Sequence, residues 1–286
     1  MHKYLKIANI YIDFTYQYDD YFSNKINAYE IKDTNHKFKK MIVEVKDNIT
    51  YPNREKTLIY KNRFKMQSEK DTYIVTKFND GDIKHLIYHT NNYDYIHITL
   101  NNRLKKRLAE FEYVLSGMLF FDIAISEEYL PFHASALNLD KTTFLLSGPS
   151  KSGKSTQTNY FKDLYRNTLV INEDKPIIFF EKQKSYVSGT PWSGKNVINT
   201  NIVKPLNYIF FINQAKKTEI NNLTKQEKIK LIFKNIHRPG CEQLVNKMID
   251  LINKLIDKVL IYQFNCENNN KSSRILYQFM EETNEN

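Results

Sequence analysis

The chain has 286 residues, 41% hydrophobic and 26% charged, which suits one large core or two smaller ones and excludes a disordered chain. Its formal net charge of +10 invites nucleic acid or an acidic peptide, but Lys and Arg are interspersed with acids, which disfavours nucleic acid. Two cysteines, Cys241 and Cys266, exclude a disulfide framework and point to a reducing cytoplasm.

Read from its start, the chain shows no secretory signal. Lys3 and Lys6 precede an apolar stretch that Asn9 and Asp13 interrupt, and no small-residue cleavage site follows. The first hundred residues form a strand-rich domain assigned to substrate or partner recognition. Strands are expected at 41–46 and 72–78, with a turn at Asn79-Asp80-Gly81-Asp82 leading into 83–88. Another strand follows at 95–100. His85, His89 and His97 fall on these strands without an acid or Cys to complete a metal set, so they read as structural. Leu104, Leu108, Phe111, Leu115 and Met118 recur at helical spacing, predicting a helix over 101–127 that bridges two halves. Its basic run from Arg103 to Arg107 reads as a solvated face. The greasy run Met118–Phe121 ends at Asp122, far too short to span a membrane.

From 128 to 281 the pattern is mixed α/β. Thr143–Ser147 predicts a buried strand, 155–164 a helix, and 168–171 a second buried strand ending in Asn172-Glu173-Asp174. Thr224 and Glu227 form a capping box opening a helix toward Ile236, closed by Pro239-Gly240. A helix over 242–257, a strand over 259–264 and a helix over 273–280 complete the chain, and 282–286 is expected to fray.

Between the first two of those elements, Gly148 to Thr156 is a complete G-x-x-x-x-G-K-[ST] loop, using two of only seven glycines. Glycine at these positions lets successive backbone N–H groups converge on a polyphosphate, and the following helix adds its positive end. Gly148, Ser150, Lys151, Ser152, Gly153, Lys154, Ser155 and Thr156 are therefore the candidate nucleotide-binding residues. Lys154 is expected to reach the β/γ-phosphates and Ser155 to hold Mg²⁺. A glycine turn that only caps a surface helix is the alternative, and the flanking strand and helix argue against it.

Glu173 and Asp174 stand nineteen and twenty residues beyond Lys154, at a strand end. Adjacent acids there suit metal binding and general-base duty, or else a polar turn before Pro176. His133 begins the strand that would hairpin into the loop, where it either orients an acid and shuttles a proton or is simply structural. Gly189-Thr190-Pro191-Trp192-Ser193-Gly194-Lys195 reads equally as a substrate-facing loop with Lys195 as its cation or as a rigid turn. Arg238 is a candidate transition-state arginine.

Taken together, His133-Ala134-Ser135, the loop fifteen residues on, and the later acid pair resemble the catalytic domain of the HPr kinase/phosphorylase family. Ile171-Asn172-Glu173-Asp174-Lys175-Pro176 and the Trp192 cluster are closer to a divergent bacterial subgroup that accompanies modified-peptide biosynthesis. The resemblance covers about residues 128–265. It implies an α/β P-loop kinase core of the type shared with phosphoenolpyruvate carboxykinases; the strand-rich first hundred residues do not look like the family's usual N-terminal domain, and with them the chain is expected to be α+β overall. It also implies ATP and Mg²⁺ as cofactors, with Gly153, Lys154 and Ser155 binding them, Asp174 as second acid and His133 as the family histidine. The first acid acts as base in that family, but here it is Glu173 where Asp is expected, so base and metal roles are open to exchange with Asp174. Lys151 replaces a family glycine. The family's signature for its carrier-protein substrate is missing, so HPr is not implied as acceptor.

The expected activity is phosphorylation of a Ser or Thr hydroxyl on a peptide or small protein, with a ribosomally made precursor as one acceptor class. Small-molecule phosphoryl transfer of carboxykinase type and a non-catalytic nucleotide-binding module are the alternatives. The expected partners include no membrane, and a homo-oligomer is left open.

Overall fold

A computed structural model describes residues 1–193 and 198–284 and divides the chain into two units, Met1–Ser126 and Glu127–Asn286. The first unit is built on eight strands. These are β1 His2–Ile7, β2 Ile10–Thr15, β3 Lys39–Lys46, β4 Thr57–Tyr60, β5 Arg63–Gln67, β6 Asp71–Lys77, β7 Ile83–Thr90 and β8 Tyr95–Asn101. They join in one sheet of order β1-β2-β3-β8-β7-β6-β5-β4, in which only β2-β3 and β3-β8 are parallel. Period-two alternation shows at the start of β8, where Ile96 and Ile98 are buried while Tyr95 and His97 are half-exposed; from Ile98 to Asn101 the strand is buried on both faces.

The helix expected to bridge two halves is instead part of the first unit. A 3₁₀ turn, Asn102–Arg107, leads into α1, Leu108–Ser126, which packs on β8 and β3. Leu108, Leu115, Leu119 and Ile123 are buried at helical spacing, which ties the helix to that unit's core. The three histidines have different surroundings. His85 is buried, which pushes its pKa down to about 4. His89 stacks on Tyr93 at 4.5 Å, and His97 lies 2.9 Å from Glu44. Among the described residues no three His, Cys, Asp or Glu side chains gather to hold a metal.

The second unit contains β9 Leu130–Pro131, β10 Ala134–Leu139, β11 Thr142–Ser147, α2 Lys154–Leu164, β12 Leu169–Asn172, β13 Ile177–Glu181 and β14 Lys184–Ser188. It continues with β15 Val203–Pro205, β16 Tyr208–Gln214, β17 Glu219–Asn222, α3 Lys225–Lys234, α4 Glu242–Lys258, β18 Leu260–Cys266 and α5 Asn270–Asn284. A six-stranded mixed sheet runs β12-β10-β11-β16-β18-β17, and a four-stranded antiparallel sheet runs β15-β14-β13-β9. Leu137, Phe144, Leu146, Phe161, Phe210, Phe264 and Leu276 form the core shared by the larger sheet, α2 and α5. The capping box at α3 is complete: Thr224 N donates to Glu227 Oε2 at 2.9 Å, and Glu227 N donates to Thr224 Oγ1 at 3.3 Å. The tail expected to fray from 282 is helical through Asn284, because Leu276 and Met280 anchor α5 in the core. No described helix is long and apolar enough to cross a membrane.

The order of strands in the larger sheet gathers three distant stretches of chain. β10 is antiparallel to β11 on one side and to β12 on the other, so β11 and β12 point the same way with β10 between them. Ala134 pairs with Ser147, and Ala136 pairs with Asn172. The start of β10 and the ends of β11 and β12 therefore meet at one sheet edge.

In the first unit, Glu112 of α1 is wholly buried and accepts from the backbone N–H groups of Gln17 and Tyr18, at 2.6 and 2.7 Å. Burial outweighs these bonds and raises its pKa to about 7. A carboxyl raised in the fold binds a proton that the unfolded chain releases, so its contribution to stability declines as pH climbs from about 5 through 7. Glu112→Gln is neutral throughout and loses one acceptor, so it is less stable than the native chain at pH 5. That deficit should shrink by on the order of 2 kcal/mol by pH 8 in urea unfolding. A deficit that stays constant or widens over this range contradicts the assignment.

Candidate active site

β11 ends at Ser147, α2 begins at Lys154, and the intervening turn is shaped by its glycines. A Cβ on Gly148 would lie 2.8 Å from Ser152 Oγ and 2.9 Å from the Ile212 carbonyl, so the chain has no room there for a larger residue. A Cβ on Gly153 would make only ordinary contacts, 3.9 Å from Ile212 Cγ2 and 4.0 Å from Gln214 Nε2, but its φ is +104°, which side chains resist. Lys151, where the resembled family has glycine, takes the left-handed φ of +66°, at a cost of about 1 kcal/mol. Its carbonyl accepts from Gln214 Nε2 at 3.2 Å, which secures the loop in that conformation. Gly153 is the N-cap of α2 and offers no side chain, so the first turn of the helix keeps its N–H donors toward the loop.

A cleft of about 620 Å³ opens over this turn. Ser150, Lys151, Gly153, Lys154, Ser155 and Thr156 line one wall, and His133, Glu173, Asp174, Ser193 and Gln214 line the rest. The structure thus brings His133 and both acids to the loop. Gly148 and Ser152 shape it from beneath, and Ser152 Oγ is buried without a hydrogen-bond partner. Lys154 Nζ turns back onto the loop, donating to the Gly148 and Pro149 carbonyls at 2.6 and 3.1 Å. Burial lowers its pKa against the opposing pull of Asp174.

The acid pair is held by a residue to which the sequence alone assigns no role. Asn172 is fully buried, and its Oδ1 accepts from the N–H groups of Asp174 and Lys175 at 2.9 and 2.7 Å. Its Nδ2 donates to the Thr190 carbonyl at 3.0 Å, while Thr190 Oγ1 donates to the Lys175 carbonyl at 2.8 Å. Asn at the last position of a strand before two acids is the available signal, since Asn bonds the backbone two residues on. Gly189 to Ser193 is buried throughout, and Thr190 ties this part of the Trp192 cluster to Asn172 and Lys175. Ser193 at its end lines the cleft, and Lys195 lies outside the described residues.

His133 Nδ1 lies 2.8 Å from Asp174 Oδ1. Burial works against ionisation of Asp174, but His133, Lys175 and Lys154 prevail and hold its pKa below the ordinary carboxylate range. The backbone fixes both residues: Ala134 N donates to the Asp174 carbonyl at 3.2 Å, and Ser147 Oγ to the His133 carbonyl at 2.9 Å. Gln214, at the end of β16 beside β11, is the other lining residue that the sequence does not mark; nothing local distinguishes it. Arg238 is not among the lining residues. It is exposed, with its guanidinium 5.8 Å from the Phe233 ring centroid.

Ser155, Glu173 and Asp174 offer only oxygen donors, which suits Mg²⁺ sharing its shell with phosphate and water. No self-contained metal set exists among the described residues, so such an ion would depend on the polyphosphate for further ligands.

No protein-family model matches this chain, and no curated protein matches it. Among solved structures, the chain is similar to an Hpr(Ser) kinase/phosphatase from Coxiella burnetii. That likeness covers 45% of this chain and 97% of the other at 18% identity, with a TM-score of 0.27. At that score the shared geometry is too slight to bear on the chemistry of the cleft.

Two glycine variants separate space from backbone strain. Gly153→Ala meets no atom closely, so it should cost about 1–2 kcal/mol, the left-handed penalty alone. Gly148→Ala collides with a backbone carbonyl as well and should cost clearly more, read as thermal midpoint and urea unfolding. Equal losses would contradict the packing described for Gly148.

Proposed function

We propose that the second unit is a kinase that transfers the γ-phosphoryl group of ATP, with Mg²⁺, to a Ser or Thr hydroxyl of a peptide or small protein. The observation that carries this reading is the meeting of a glycine-flanked loop, its lysine and an ionised acid contacted by histidine in one cleft. A triphosphate seated on the loop would draw Lys154 off the Gly148 and Pro149 carbonyls, exchanging neutral acceptors for charged ones. Mg²⁺, when bound, supplies neutralising charge to the β- and γ-phosphates.

The chain's own groups then position the acceptor. One carboxylate of the Glu173–Asp174 pair takes the hydroxyl proton as the oxygen–phosphorus bond forms and the bond to ADP breaks. The transition state is loose, so proton removal is late and positioning contributes most of the rate. His133 holds Asp174 in place and in its charged form. Among the described residues no arginine lines the cleft, which argues against binding of a dicarboxylate in the carboxykinase manner.

Incubation with ATP, Mg²⁺ and Ser-containing peptides should give one added phosphoryl group by mass spectrometry. Lys154→Ala should reduce transfer by at least about a thousandfold with an unchanged circular dichroism spectrum. Nucleotide binding without transfer to any peptide would favour the non-catalytic module. Glu173→Gln and Asp174→Asn should part the two carboxylate roles. Loss of the base lowers kcat by roughly 10²–10⁴ at every Mg²⁺ concentration, whereas loss of a metal ligand is partly relieved by more Mg²⁺. Full activity in either variant would contradict the reading.

A further inference from the structure

We infer that α3 together with Arg238 is the docking surface for an acidic segment of the phosphoacceptor peptide, beside the cleft. The inference rests on the kinase reading above. Over residues 224–240 the chain carries Lys225, Lys228, Lys230, Lys234 and Arg238 against a single acid, Glu227. That acid is occupied in closing the capping box. The surface is therefore strongly cationic at close range, unlike the interspersed charges of most of the chain, and it complements an acidic peptide.

The helix also presents partly exposed apolar surface. Ile232 is its only buried residue, while Ile229 and Phe233, one turn apart on one face, are 38% and 42% exposed. The Arg238 guanidinium lies over the Phe233 ring and extends that face with a charge. A short apolar strip rimmed by cations fits a peptide carrying an apolar side chain among acids. A helix of ten residues, about 15 Å long with two exposed apolar side chains, has little to bury in a lipid surface.

Position makes the surface useful to the reaction. The α3 C-cap residue, Asn235, accepts from the His133 backbone N–H through its carbonyl at 2.6 Å. Ile236 forms a bridge with Phe132. His133 lines the cleft and contacts Asp174. The end of α3 is thus fastened by main-chain bonds to the residue that holds the acid. A peptide lying along α3 toward Arg238 comes within reach of the cleft with its hydroxyl.

The test uses the full chain and fluorescence anisotropy, without nucleotide. The probes are a fluorescein-labelled synthetic peptide of Asp and Glu with one Leu and one Ser, its Lys-for-acid counterpart, and vesicles of phosphatidylglycerol and phosphatidylcholine. The acidic peptide should bind about tenfold or more tightly than the basic one, and more weakly as salt rises. Lys230→Glu with Lys234→Glu should weaken it about tenfold, and Phe233→Ser should weaken it while leaving the salt dependence intact. All three positions are exposed, and ATP affinity should be unchanged in each variant. Lys154→Ala should retain peptide affinity, so that loss of transfer and loss of docking are told apart. Equal affinity for both peptides, unaltered binding by the variants, or binding to vesicles alone would overturn the inference.

Discussion

The pairing of β10 between β11 and β12 is the constraint on which the candidate site depends. A strand antiparallel to both neighbours begins where they end, so His133, the turn after Ser147 and the acids after Asn172 are delivered to one edge. Main-chain and hydroxyl bonds then fix the three together, through Ala134 to Asp174, Ser147 to His133 and Ser135 to Glu173. These bonds use main-chain carbonyls of His133, Glu173 and Asp174, not the side chains with which those residues line the cleft. The scaffold and the reactive surface are separate sets of atoms on the same few residues.

Charge in the cleft is a consequence of that arrangement. Asp174 is partly buried, which alone would favour its neutral form, yet the His133 ring and the cations of Lys175 and Lys154 beside it hold its pKa below the ordinary carboxylate range. Lys154 is partly buried and satisfied for the moment by two loop carbonyls. The strained Lys151 and the unpartnered Ser152 hydroxyl lie in the same turn, and local cost of this kind is tolerated where a ligand compensates for it.

Much of this is legible in the sequence, for a physical reason. Glycine punctuation, the Thr224 capping box and the apolar runs of β11, β12 and β18 are local signals, and the corresponding elements lie within a residue or two of expectation. Long-range pairing carries no such local mark, so the interposition of β10 is not readable. Asn172 belongs to the motif around the acids, but its grip on two N–H groups and on Thr190 depends on a fold that brings 172 and 190 together. Helix α1 reads as a bridge because its periodicity shows that it has a buried face without saying which unit buries it. Arg238 is expected at the cleft from its sequence context, whereas in the fold Phe233 offers its guanidinium a ring to lie on.

In the proposed kinase the turn from Gly148 to Thr156 receives the triphosphate of a nucleotide facing Asp174. A crystal structure of the full chain with Mg²⁺ and a non-hydrolysable ATP analogue tests it most directly. Phosphates should lie along the loop, with Lys154 Nζ moved from the Gly148 and Pro149 carbonyls to a phosphate oxygen and the metal near Ser155 and the acid pair. A triphosphate bound elsewhere, or Lys154 still closed on those carbonyls with nucleotide present, would contradict it.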